Sequence, residues 1–199
     1  ANKLDYSEVT PQLIPGDMKF IDQNGDGIIN GDDQVRLEEN NVPTFNFGGT
    51  IRLYYKDFDF SALIQGATGG SFPVQTESGD IGNYLAYNHD NRWSIDNPSS
   101  EHPRLASRGD TYYTGGSYGN NTYFLFDTDY IRLKNLEIGY NMNGATLERF
   151  GLQNLRIFAN AFNLFTISRF DFFDPENTNT QGRYYPQTRV LNFGFGVTF

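Results

Sequence analysis

Apolar and polar residues alternate with a period of two at intervals along the chain, which predicts β-strands rather than helices. Residues 45–56 place aromatic and aliphatic side chains on one face and mostly polar ones on the other. The pattern resumes in 58–66 after a tight turn at Lys56-Asp57. It is cleanest in 190–199, where the residues on the apolar face are Leu191, Phe193, Phe195, Val197 and Phe199. We therefore predict three strands, each with one apolar face.

Two further strands are predicted at about 130–142 and 154–165, but the side chains of these segments alternate less regularly. In 130–142, the apolar residues before and after Lys134-Asn135 are out of phase with one another. A β-bulge adds one residue to a strand and shifts the alternation by one position. A bulge near Lys134-Asn135 would therefore bring both halves of the segment onto the same face.

The predicted strands are joined by connections of very unequal length. The first two are linked by a tight turn, whereas 66–129, 166–189 and the lead-in 1–44 are long. Outer-membrane barrels place short turns at one rim and longer loops at the other. Loops of this length are uncommon in a compact soluble domain unless they are functional. The connection lengths thus favour an up-and-down barrel.

Alternation alone does not decide whether the apolar face contacts lipid or a second sheet, because a soluble β-sandwich has the same pattern. Strand lengths of about 10 residues suit a tilted crossing of a bilayer. Aromatic residues at the strand ends and the final Phe199 also favour lipid. The prediction is an all-β, antiparallel transmembrane barrel segment. Five strands cannot close such a barrel, so we expect the first strand to pair with one outside this sequence.

The composition narrows the functional classes further. The 199 residues carry a net charge of -9, which argues against nucleic acid as a partner, because phosphate binding needs clustered Lys and Arg. No cysteine is present, which excludes disulfides and zinc–thiolate sites. Only His89 and His102 provide imidazoles, and no nucleophile-elbow or zinc-protease motif occurs. We therefore predict no enzymatic activity.

The chain starts without Met or a signal peptide, so we expect a processed protein or a piece of a longer one.

Residues 22–33 contain the most specific chemical motif of the chain. Counting Asp22 as position one, oxygen-bearing side chains fall at positions one, three, five, nine and twelve, with Gly27 at position six. Ca²⁺ takes about six to eight oxygen ligands, and this spacing wraps a loop around one ion. The predicted ligands are the side chains of Asp22, Asn24, Asp26 and Asp33, the carbonyl of Ile28, and Asn30 directly or through water. The alternative is a polar turn that holds no ion. With Asp as the last ligand, we expect a structural Ca²⁺ loop with at most a short helix after Asp32.

Several segments resemble, in the same order, those of SusC/RagA-type TonB-dependent transporters. The segment Pro15-Gly16-Asp17 with the loop after it is the first of them. The others are Asn91-Arg92-Trp93-Ser94 with Pro98 and Pro103-Arg104-Leu105, then 129–140, then Asn163-Leu164-Phe165 with Phe173-Asp174-Pro175-Glu176. The ending 194–199 is similar to the terminal strand that the outer-membrane assembly machinery recognises, which makes Phe199 the candidate assembly signal.

The resemblance implies a bacterial outer-membrane barrel of about 22 strands, filled by an N-terminal plug. It also implies a SusD-like surface lipoprotein as a lid and import of oligosaccharides or peptides driven by TonB. This chain would supply the last five strands, while the plug, the TonB contact and the rest of the barrel lie outside it. Residues 1–44, with the Ca²⁺ loop, 66–129 and 166–189 would then be extracellular.

Other residues are assigned from this arrangement. The polar residues Arg52, Gln65, Asn192 and Thr198 would line the lumen. Trp93, Tyr112 and Tyr113 are candidates to stack on a sugar ring or contact the lid, although packing within the loops is the commoner role for such residues. The alternative function is that of a secreted carbohydrate-binding β-sandwich with a structural Ca²⁺.

Overall fold

A computed structural model describes residues 3–10, 13–38, 40–74, 86–98, 101–106, 121–176, 185 and 187–199. Its strands are β1 (Phe45–Tyr55), β2 (Phe58–Thr68), β3 (Ser71–Pro73), β4 (Leu125–Asp127), β5 (Tyr130–Met142), β6 (Asn154–Ser168) and β7 (Val190–Thr198). The five long strands form one antiparallel sheet in the order β1-β2-β5-β6-β7. All five strands predicted from the alternation are present, and each pairs with its neighbour in the predicted up-and-down order.

The remaining elements are short. Strands β3 and β4 form a two-stranded sheet, and they lie within the region predicted as one long loop. One helix spans Ala86–Asn91, a helical turn spans Ala145–Glu148, and 3-10 turns span Gly31–Asp33 and Thr122–Phe124. Among the described residues, no helix has the length and apolarity needed to cross a membrane.

The chain divides into two compact units. The first is formed mainly by Ala1–Glu38 and Phe72–Phe126. The second is formed by Glu39–Ser71, Asp127–Thr178 and Tyr184–Phe199, and therefore contains the five-stranded sheet. The Ca²⁺ motif and Trp93 belong to the first unit, whereas the predicted lumen residues belong to the second.

The register of the sheet collects apolar side chains on one face, which we call the apolar face. Across β6 and β7, Ile157 pairs with Phe195 and Ala159 with Phe193. The alternate pairs place polar residues on the opposite, polar face, as where Asn160 pairs with Asn192. Because side chains point to alternate faces along each strand, this arrangement follows directly from the period of two in the sequence.

A double bulge keeps the apolar face continuous along β5 and β6. Leu63 pairs with Asn135 and Ile64 with Leu133, so Lys134 has no partner on β2. On the other side, Leu133 pairs with Phe165 and Asn135 with Phe162. The bulge predicted near Lys134-Asn135 is confirmed, and it places Lys134 on the polar face together with Arg132.

The apolar face is bare in the five-stranded sheet. Phe193 is 83% exposed and Phe195 is 75% exposed, and large apolar side chains of the other four strands are exposed as well. In a β-sandwich these side chains would be covered by a second sheet about 10 Å away. Within the described residues no second sheet covers this face. The exposure of this face argues against the sandwich alternative.

Candidate functional site

The predicted Ca²⁺ loop is curled by hydrogen bonds from its backbone to its own side chains. Asp22 accepts through Oδ1 from the N–H of Gly25 at 2.6 Å and through Oδ2 from that of Gly27 at 2.9 Å. The side chains of Asn24 and Asp26 accept from backbone N–H groups two residues further on. Positive φ angles at Gly25 (80°) and Gly27 (86°) allow the chain to turn here. The loop therefore has the tight curvature that its spacing predicts.

The end of the loop is closed by Asp33. Its Oδ1 accepts from the N–H of Gln23 at 2.7 Å and its Oδ2 from that of Asn30 at 2.9 Å. The hydrogen bond from Asn30, and then that from Gln23, hold the pKa of the Asp33 carboxyl below its usual range. The stabilisation from these bonds is therefore present above the ordinary Asp pKa and is lost as the pH falls through the lowered value. The short helix predicted after Asp32 is a 3-10 turn that begins earlier, at Gly31.

Asp5 attaches the loop to the rest of the first unit. The N–H of Asp5 donates to the carbonyl of Gly27 at 2.9 Å, and the N–H of Ile29 donates to the carbonyl of Asp5 at 2.8 Å. Ile29 is buried. Among the described residues, no three His, Asp or Glu side chains are grouped as a metal cluster. The ligand set predicted for Ca²⁺ also draws on Asn24, Asn30 and the Ile28 carbonyl, so metal binding by this loop stays a prediction.

A cleft of about 680 Å³ lies in the first unit. Residues 13–20, Trp93, 101–103 and 121–123 line it. Trp93 is half-buried and packs on Gly16, where a Cβ would lie 2.5 Å from the indole ring. The backbone N–H of Trp93 donates to the carbonyl of Pro103 at 3.0 Å, and Arg104 pairs with Asp17 at 2.5 Å. Two of the segments that carry the family resemblance, Pro15-Gly16-Asp17 and the one that contains Trp93, Pro103 and Arg104, are thus packed together.

Two other residues that line this cleft, His102 and Tyr123, are joined by a hydrogen bond. His102 Nδ1 and Tyr123 Oη are 3.1 Å apart. Burial, and then the neighbouring Tyr87, raise the pKa of Tyr123 to about 12, so its hydroxyl keeps its proton at neutral pH. A role of Trp93 in contacting the substrate or the lid stays a prediction. Tyr112 and Tyr113, predicted for the same role, lie outside the described residues.

The polar face of the sheet carries two charged clusters. The first, which we call the Arg156 cluster, contains Asp59, Glu137, Asn141, Arg156, Asn160 and Asn192. Arg156 Nη2 lies 2.7 Å from both Asp59 Oδ1 and Glu137 Oε1. Asn141 donates to Asp59 at 2.8 Å, and Asn192 donates to Asn160 at 2.9 Å. Side chains of β2, β5, β6 and β7 are thereby linked across this face.

The second, which we call the Glu176 cluster, contains Gln65, Tyr130, Arg132, Lys134, Asp174, Glu176 and Gln187. Arg132 is the largest fully buried side chain among the described residues. Its Nη2 lies 2.7 Å from Asp174 Oδ2, and its Nε donates to Thr166 at 2.8 Å. Asp174 and Glu176 belong to the segment after β6, so this segment is held against the polar face.

The predicted lumen residues Arg52, Gln65, Asn192 and Thr198 all lie on the polar face of the sheet. Sequence reasoning gave no role to Arg132, Asp174, Glu176 or Arg156. The available signal was the run of charged residues on the polar positions of β5, which a strand in a barrel wall must pair or hydrate. The partners of Arg156 lie on other strands and those of Arg132 in the segment after β6, so the sequence alone did not show these pairings.

Comparison with known proteins gives the family. The chain is 31% identical to TonB-dependent receptor P26 of Formosa agariphila, over 99% of its length. It is 30% identical to TonB-dependent receptor P3 of the same organism, over 93% of its length. No family model matches the chain. The chain belongs to the TonB-dependent receptor family. It spans 21% of the receptor P26 and 19% of the receptor P3.

Solved structures show the same fold. A structure of the RagAB peptide transporter matches 96% of this receptor segment, with a TM-score of 0.67 and 21% identity. The RagAB peptide importer in its open-open state matches 86% with a TM-score of 0.63. The receptor segment is thus part of an outer-membrane β-barrel. Its apolar face is the lipid-facing side, and its polar face is directed to the barrel interior.

Proposed function

We propose that this segment is the C-terminal barrel portion of a TonB-dependent importer of oligosaccharides or peptides. The observation that carries the proposal is the division of one sheet into a bare apolar face and a polar face with paired charges. Such a wall separates lipid from a polar passage. The receptor names of the relatives and the names of the RagAB importers support the same function.

The proposed partners follow from the resemblance to SusC/RagA-type transporters. A SusD-like lipoprotein would cover the outer side, and TonB would act through a part of the receptor outside this sequence. The segments 1–44, 66–129 and 166–189 would be extracellular. Trp93, Tyr112 and Tyr113 would contact the substrate or the lid, and Phe199 would be part of the assembly signal.

The prediction that the segment has no enzymatic activity agrees with the receptor names of its relatives.

The importer proposal is tested with the full-length receptor in its own bacterium. Radiolabelled oligosaccharides and peptides are offered to cells with the receptor, to cells without it, and to cells without TonB. We expect uptake of one of the two cargo classes to require both the receptor and TonB. Affinity purification of the tagged receptor should recover a surface lipoprotein. Uptake that is unchanged in both deletion strains would refute the proposal.

We also propose that residues 22–33 bind one structural Ca²⁺. The loop is already curled by its own side chains, and Asp33 closes it onto Gln23 and Asn30. Carboxylate, amide and carbonyl oxygens are the hard ligands that Ca²⁺ prefers. A bound ion would neutralise Asp22, Asp26 and Asp33 and would order the first unit near Ile29. The role would be structural, because protein oxygens could fill the coordination sphere.

A further inference from the structure

The carboxylate of Glu176 receives donors from several directions on the polar face. Tyr130 Oη lies 3.0 Å and Gln65 Nε2 3.3 Å from Oε1, while Lys134 Nζ and Gln187 Nε2 each lie 3.3 Å from Oε2. Arg132 Nη1 is 3.2 Å from Oε1. These donors come from β2, β5 and the segment before β7. Such a convergence of charged and neutral donors is the arrangement that binds a carboxylate.

The cluster has an inner and an outer part. The side chain of Arg132 is 2% exposed, and it pairs with Asp174. The side chains of Glu176 and Lys134 are 22% and 27% exposed, so both remain accessible to solvent. This partial exposure weakens the attraction between Lys134 and Glu176 relative to that of the buried Arg132–Asp174 pair. Loss of Glu176 from its position would leave Arg132 still paired with Asp174.

The charges of the cluster balance only while Glu176 is in place. Arg132 and Lys134 provide two positive charges, and Asp174 and Glu176 provide two negative ones. Without Glu176 one positive charge is uncompensated and is surrounded by neutral donors. Among the described residues, the buried Arg132 Nη1 has no partner with hydrogen-bond geometry. A carboxylate aligned better than Glu176 would satisfy this nitrogen.

Glu176 is not part of the sheet that it contacts. It lies beyond the end of β6 at Ser168 and before β7, and its N–H donates to Asp174 Oδ1 at 2.9 Å. Displacement of its side chain would break no hydrogen bond between strands. The donors, by contrast, include Tyr130, Arg132 and Lys134 on β5, which pairs with β2 and β6. Four of the five donors therefore belong to paired strands, whereas Glu176, the acceptor, does not.

We propose that Gln65, Tyr130, Arg132, Lys134 and Gln187 form a carboxylate-binding site on the inner wall of the barrel. Glu176 occupies this site as an internal ligand, and a ligand with a free carboxylate displaces it. The proposal depends on the geometry of the polar face and not on whether the receptor imports oligosaccharides or peptides.

The first test is chemical rescue with the full-length receptor purified in detergent. Glu176→Ala removes the internal carboxylate and leaves the donors in place. We expect a lower unfolding midpoint, which sodium acetate raises at constant ionic strength, whereas neutral acetamide does not. Adding Lys134→Met to Glu176→Ala should weaken the apparent acetate affinity at least about tenfold, because a charged donor is lost. Asp171→Ala removes an exposed carboxylate from the same segment and is the matched control, with no response to acetate expected.

The second test uses the unmodified receptor and therefore does not depend on the folding of a variant. Acetate should increase hydrogen exchange of backbone amides in 169–176, whereas acetamide should leave it unchanged. If Glu176→Ala folds and acetate does not raise its unfolding midpoint, the site does not exist. If acetate leaves the exchange in 169–176 unchanged, Glu176 is a permanent clamp and displacement is refuted.

Discussion

At the scale of single residues, glycine on the polar face provides the space in which charged side chains meet. Gly139 on β5 pairs with Asp59 on β2 and with Phe158 on β6, two residues from Arg156. A Cβ at Gly139 would lie 2.6 Å from Arg156 Nη2 and would also collide with the Asp59 carboxylate. In its present geometry the ion pair across β5 leaves no room for a side chain at this position.

Gly139→Ala should destabilise the barrel by about 1–3 kcal/mol, because the added methyl group pushes Asp59 and Arg156 apart. The free energy of unfolding of the full-length receptor in lipid vesicles, measured with a denaturant, is the readout. Gly196→Ala is the control, since a Cβ there has no neighbour within 4 Å. Equal stability of the two variants would show that the ion pair adjusts without cost.

Asp26→Ala should abolish the stabilisation of the receptor by Ca²⁺. With the parent, we expect chelation to lower the unfolding midpoint of the first unit and added Ca²⁺ to restore it. The variant should have the lower midpoint under both conditions. Asp32→Ala changes an exposed Asp of the same loop that is outside the predicted ligand set, and it should behave as the parent does. A parent that does not respond to chelation would contradict the Ca²⁺ proposal.

At the scale of elements, the period of two predicted the five long strands and the bulge, because both depend on local alternation. β2 ends at Thr68 and β6 at Ser168, two and three residues beyond their predicted ends. Strands β3 and β4 were not predicted, since three residues are too few to show a period. Alternation could not assign partners to Asp59 and Arg156, which are 97 residues apart in the chain.

The facing of β7 gives a prediction at the element scale. Phe195→Arg places a charge on the lipid side and should cost about 2–4 kcal/mol if the position lies near the bilayer midplane. Thr198→Arg places the same residue on the polar face of the same strand and should change stability by no more than about 0.5 kcal/mol. The measurement is denaturant unfolding of the receptor in lipid vesicles. An equal cost for the two variants would mean that the facing is assigned wrongly.

At the scale of the whole molecule, the sequence predicted the membrane barrel and the family, but not the two clusters on the polar face. The barrel follows from the lengths of the strands and of their connections, which are read along the chain as a whole. The clusters depend on the register of four strands and on the segment 169–176 folding onto Arg132. Such contacts form only in the folded chain, and no local pattern in the sequence encodes them.

The full-length receptor should remain with the membrane fraction in alkaline carbonate and should enter solution only with detergent. The reason is the bare apolar face, which requires hydrocarbon around it. Fractionation of cell membranes with antibody detection is sufficient as a readout. Recovery of the receptor in the carbonate supernatant would contradict an integral position in the outer membrane.

Strands β1 and β7 each have a single neighbour in the five-stranded sheet, so within the described part of the chain each leaves a row of backbone N–H and C=O groups without a β-ladder partner. Such rows are templates for further strands. Without the remainder of the receptor, we expect these 199 residues to associate edge to edge with copies of themselves. Proline or lysine on β1 and β7 should block this association.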